Sequence, residues 1–118
     1  MGEVINPVEG WAYPANLPQS HCGFALRLEH HWDGLLFRVF SYHDDVQKRS
    51  VMMVFDKSTA EFMLRLKIGL TEFCDVEFIH ADVSIVEGVL KKALLFRLET
   101  MQKCMPERMG SLFMSKKI

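Results

Sequence analysis

His21, Cys22, His43 and Asp45 carry the donor atoms of a zinc-type site: imidazole nitrogen, thiolate sulfur and carboxylate oxygen. They fall in two short groups whose spacing matches no metal signature, and Asp44-Asp45 also suits an ordinary turn. The bland alternative is a small buried thiol beside a solvated loop, and ligand type without signature spacing favours it. A second pair, His30 with Trp32, sets a titratable ring beside an indole, as at the mouth of a ligand pocket. Such a pair also closes the end of a sheet, its imidazole hydrogen-bonded locally. Arg97 stands in an otherwise apolar helical stripe, where a guanidinium would fix the carboxylate or phosphate of a ligand. Its stem would equally cover apolar surface while its head pairs with an internal acid such as Glu77. His30, His80 and Arg97 would make a pocket-type enzyme only if the fold brings them together. No P-loop, G-x-G-x-x-G, G-x-S-x-G or H-E-x-x-H is present, and the serines and cysteines have no base partner at informative spacing. The sequence requires no cofactor and leans away from an enzyme.

These residues must be positioned by secondary structure. Stretches 22–31 and 35–43 flank Trp32-Asp33-Gly34, and Asp-Gly predicts a two-residue hairpin turn. That register puts Glu29 opposite Arg38 and Cys22 opposite Asp45. Ser50–Phe55 reads as a buried central strand. Ser58-x-x-Glu61 reads as a capping box, and Phe62, Met63, Leu66, Leu70 and Phe73 follow at helical spacing. A strand over 76–81 follows, then a second capping box, Ser84-x-x-Glu87, which opens a helix that Pro106 ends. On that last helix Val86, Val89, Leu90, Ala93, Leu94, Phe96, Met101 and Cys104 share one broad sector, with Leu95 and Leu98 nearly opposite. Leu95, Leu98, Gln102 and Met105 thus mark a seam for a second helix, and a second copy of the chain is the expected partner. The expected fold is α+β: a two-layer sandwich with a mixed four-stranded sheet, order β-β-β-α-β-α, two helices on one face and an extended N-terminal arm. Residues 1–20 form the arm, pinned by Trp11 and Tyr13, 21–105 the single domain, and 106–118 a C-terminal tail.

Bulk properties narrow the class. With 118 residues, 49% hydrophobic and 25% charged, the chain can bury a core and is not disordered. A net charge of −1 argues against nucleic acid as partner. No apolar run approaches the roughly 20 residues of a membrane span, and the N-terminus lacks the basic and apolar regions of a signal peptide. Three widely spaced cysteines fit a reduced, cytoplasmic protein. The reading is a small self-associating binding or interaction domain, expected as a homodimer with a protein or small-molecule ligand and without membrane or nucleic-acid partners. The alternative is a small metal-dependent or pocket-type enzyme at the open end of the 22–43 hairpin.

Overall fold

Alternation, not helical spacing, governs the middle of this chain. From Glu61 to Ile68 the side chains of Phe62, Leu64, Leu66 and Ile68 are buried, while Met63, Arg65 and Lys67 face the other way. The computed structural model describes residues 7–103 and 115–117. In chain order these form a 3₁₀ turn (Tyr13–Asn16), β1 (Ser20–His21), β2 (Phe24–Arg27), β3 (His31–Asp33), β4 (Leu36–Asp44), β5 (Arg49–Asp56), β6 (Glu61–Ile68), β7 (Thr71–His80), α1 (Val83–Met101) and β8 (Ser115–Lys117). Strands run β1-β2-β4-β5-β6-β7-β8 across one sheet, and every pairing is antiparallel. β2 and β3 lie along different stretches of β4, so the sheet is seven positions wide.

The expected mixed four-stranded sheet with two helices is therefore corrected. Among the described residues there is one α-helix, and the expected first helix is the β6–β7 hairpin. Its apolar residues fit a period of 3.6 loosely and a period of 2 closely, and Gly69 decides between them. Ile68 pairs with Thr71, leaving a two-residue loop in which Gly69 takes φ +61° and Leu70 is 97% exposed. With no helix between β5 and β7, the expected parallel crossover disappears as well. The first hairpin uses the same solution: Asp33 pairs with Leu36, and Gly34-Leu35 makes the loop with Gly34 at φ +62°. Arg38 thus faces His31, and its guanidinium reaches Asp33 at 3.4 Å, in place of the expected Glu29 pairing. A bulge in β4 between Arg38 and Phe40 switches the inward residues from Phe37 to Phe40 and Tyr42, which alternation alone does not foresee.

α1 forms where the second capping box predicted a helix, although Asp82, not Ser84, is the cap. Its carboxylate accepts from the Ser84 N–H at 2.8 Å. The helix lays Val86, Leu90, Leu94, Leu98 and Met101 on the inner face of the sheet, packing mainly on β7. Each fully buried leucine there contributes roughly 1.5–3 kcal/mol. Relative to the expected wheel the buried direction is rotated. Leu98, assigned to the outer seam, is fully buried, and Phe96, assigned to the core, is 59% exposed. The cause is Arg97, which turns inward to meet two acids of β7.

The N-terminal arm packs on its own chain. Trp11 stacks on Tyr13, meets the edge of Phe62, and donates from its indole N–H to Glu87 of α1 at 2.6 Å. Val8 and Leu17 join the core, and Tyr42 donates its hydroxyl to the Pro18 carbonyl at 2.8 Å. The arm is extended only in part, because Tyr13–Asn16 winds into the 3₁₀ turn, led by Pro14. Within the expected C-terminal tail, Ser115–Lys117 pairs with β7 as β8.

Candidate functional site

One face of the sheet carries α1; the other, among the described residues, has no element packed over it and is chemically mixed. Registers across β4, β5, β6 and β7 set its side chains in rows. One row runs His43, Ser50, Lys67, Glu72, the next Ser41, Met52, Arg65, Cys74. A third begins Arg38, Val54, Met63. Between these rows opens a cleft of about 370 Å³ whose lining includes Arg38, His43, Arg65 and Lys67, the acids Asp33 and Glu72, and the apolar Leu36 and Met52. A smaller hollow of about 180 Å³ continues past His43 and Lys67 to Lys48 and Gly69. Ion pairs brace the cleft, Arg65 to Glu72 at 3.3 Å and Arg38 to Asp33 at 3.4 Å. Arg65 Nε is nevertheless buried without a hydrogen-bond partner.

His43 stands 2.8 Å from the Ser41 hydroxyl. Burial, followed by the charge of Arg27, pushes its imidazole below the ordinary value of 6.5, so the ring is neutral at physiological pH. Ser41 is only 9% exposed, so its hydroxyl orients the imidazole rather than meeting a substrate. The cleft therefore presents three cationic side chains, two carboxylates paired with the arginines, a neutral imidazole and apolar side chains.

No family model matches the chain, and no similar protein was found among curated sequences or solved structures.

The residues singled out by type are distributed over several places. His21 and Cys22 remain side by side at the β1–β2 turn, but the third donor near them is Glu99 of α1, not His43 or Asp45. His43 belongs to the open face, and Asp45 pairs with Arg27 at 3.2 Å. His30 is exposed, its ring 5.5 Å from that of Phe37, while Trp32 meets Phe37 edge-on at 5.2 Å. Arg97 is committed inside the chain, donating from Nε to Asp75 at 2.8 Å and from Nη2 to Glu77 at 2.7 Å. His80 lies on β7, with three strands between it and β3, and its Nε2 contacts the Glu77 carbonyl, so His30, His80 and Arg97 share no site. Gln102 donates to the Cys22 carbonyl and the Asp44 carboxylate, at 2.8 and 2.7 Å. Leu95 is 37% exposed, Leu98 is covered within the chain, and Met105 lies outside the described residues. Of the cleft residues, Arg65 and Lys67 escaped sequence reading because a helical assignment of 61–73 scatters them. Their alternation with Leu64, Leu66 and Ile68 was the available signal.

Proposed function

We propose that this protein is a binding domain whose working surface is the face of the sheet opposite α1, and that its ligand is a small anion with an apolar part. The cleft carries this reading: Arg38, Arg65 and Lys67 gather at its walls, and the buried Arg65 Nε lacks a partner. A guanidinium N–H left unpaired in a buried place costs on the order of 1–3 kcal/mol, which a carboxylate or phosphate oxygen would recover. Leu36 and Met52 in the lining suit a short apolar body attached to that group. The test is a titration of isotope-labelled protein with inorganic phosphate and with carboxylates of increasing apolar size, read by amide chemical shifts. Saturable shifts at Ser50, Met52, Arg65 and Lys67, abolished by Lys67→Ala, support the reading. Shifts that never saturate, or that map to the helix face, overturn it.

A second reading is self-association as a homodimer, favoured by exposed apolar side chains on the outer side of α1. Ile85 is 51% and Phe96 59% exposed, with Leu95 at 37% beside them. On this reading the seam runs over Ile85 and Phe96 rather than over Leu98, which is buried. Light scattering at micromolar concentration is expected to give twice the monomer mass, reverting to monomer in Phe96→Glu. A wild-type monomer removes the idea. Three widely spaced cysteines without a C-x-x-C pair support a reducing, cytoplasmic setting for either reading.

A further inference from the structure

We infer that His21, Cys22 and Glu99 form a binding site for a borderline-soft divalent cation, Zn²⁺ in the first place. His21 Nε2 lies 2.8 Å from Glu99 Oε2, and these two atoms and Cys22 Sγ all lie within 4.8 Å of one another. Ligands around tetrahedral zinc, with bonds of about 2.0–2.3 Å, sit roughly 3.3–3.8 Å apart, so small rotamer changes close the set on one ion. Thiolate, imidazole and carboxylate together suit zinc; an oxygen-seeking ion such as Mg²⁺ would find a single suitable donor.

The donors come from separate elements that the fold ties together. Cys22 and Gly23 occupy a two-residue turn between His21 and Phe24, with φ of +52° and +88°. A primed turn of that kind ordinarily takes Asn-Gly. Here a cysteine accepts the left-handed position, which turns its thiol toward the last turns of α1. Gln102 holds the turn there through the Cys22 carbonyl. Gly23 lets the turn approach these side chains closely, since a Cβ on it would stand 3.2 Å from Gln102 Nε2 and 3.3 Å from Asp44 Oδ2. Three donors are thus gathered before any ion arrives, and little ordering remains for binding to supply. On binding, the Cys22 thiol proton passes to solvent as the metal–sulfur bond forms; His21 gives up the Nε2 proton shared with Glu99 and keeps its ring proton on Nδ1, so that Nε2 and the Glu99 carboxylate each bond the metal. A fourth coordination position stays open to water or a small ligand.

The probes are Zn²⁺ and Co²⁺ added to the intact protein. Co²⁺ is expected to produce thiolate-to-metal charge-transfer absorption in the near ultraviolet, absent in Cys22→Ser. His21→Ala and Glu99→Gln are each expected to weaken Zn²⁺ binding by about 10–100-fold or more, the lower part of that range being what outer-shell partners alone cost. Zn²⁺ should also raise the melting temperature of the wild type but not of Cys22→Ser, a readout that shows the variant folds. Absence of the charge-transfer band in wild type overturns the site. So does Zn²⁺ affinity unchanged by Glu99→Gln.

Discussion

Arg97 and Asp75 show how one buried side chain sets the orientation of a helix. Asp75 is completely buried, and burial pushes its carboxyl above the ordinary 3.8 against the opposing pull of Arg97. Removing the arginine leaves that carboxyl and Glu77 without their guanidinium. Arg97→Ala is therefore expected to cost about 3–5 kcal/mol in urea unfolding, as breaking one side of a buried pair does. An Asp75→Leu/Arg97→Met double variant should recover most of the loss. A cost under about 1 kcal/mol for Arg97→Ala would show the pair to be incidental. The sequence exposes part of this arrangement: Arg97 interrupts an apolar stripe and Glu77 is a nearby acid, but Asp75 falls before the expected strand at 76–81. The candidate metal donors are legible to a similar degree. His21 and Cys22 are neighbours in the chain, whereas Glu99 stands 78 residues along from His21, and only the docking of α1 unites them.

Two four-residue hairpin loops share one design. β4 ends at Asp44 and β5 begins at Arg49; β5 ends at Asp56 and β6 begins at Glu61. In each, the aspartate accepts from backbone N–H groups of its loop: Val46 and Gln47 at 3.0 and 3.1 Å, Ser58 at 2.8 Å. In each, the last loop residue is left-handed, Lys48 at φ +58° and Ala60 at +57°. An L-residue pays roughly 1–2 kcal/mol there, and glycine does not. Ala60→Gly is thus expected to stabilise the protein by up to about 1 kcal/mol after the greater chain entropy of glycine is deducted. A thermal melt measures it, and a decrease in melting temperature would show Ala60 packing to matter more than its backbone angle. The second of these loops misleads a reader of the sequence. Asp56 makes a turn whose Ser58 and Glu61 also satisfy a capping-box pattern, and the same eight residues of β6 alternate well enough to be a strand. The local signals conflict, and the sheet edge offered by β5 resolves them. The α1 signal has no such rival, and its element appears where expected.

The whole molecule is held shut by contacts between sequence-distant pieces, several of them carboxylates. Glu87 holds the arm by accepting from the Trp11 indole, and Asp44 holds the end of α1 by accepting from Gln102. These hydrogen bonds, with Lys91 beside Glu87 and the loop N–H groups beside Asp44, lower both groups below their ordinary 4.5 and 3.8. A lowered acid contributes stability above its unfolded-state pKa and loses it as pH falls through the folded value. The melting temperature is therefore expected to fall as the solution is acidified below pH 4.5 and then 3.8. Glu87→Gln and Asp44→Asn should each flatten that descent, and an unchanged acid profile in both would place the linkage elsewhere. Strands β3 to β7 can form hairpin by hairpin as the chain is made, since each pairs with its sequence neighbour. α1 behaves differently: it rests on β7, touches β1, and its Met101 carbonyl accepts from Arg49. Trp11 and Cys22 are thus synthesised well before they can be seated, because the groups that receive them lie at positions 87 and 102. A nascent chain that ends at β7 would hold a nearly complete sheet with its apolar face bare, and the arm beside it would have nothing to grip.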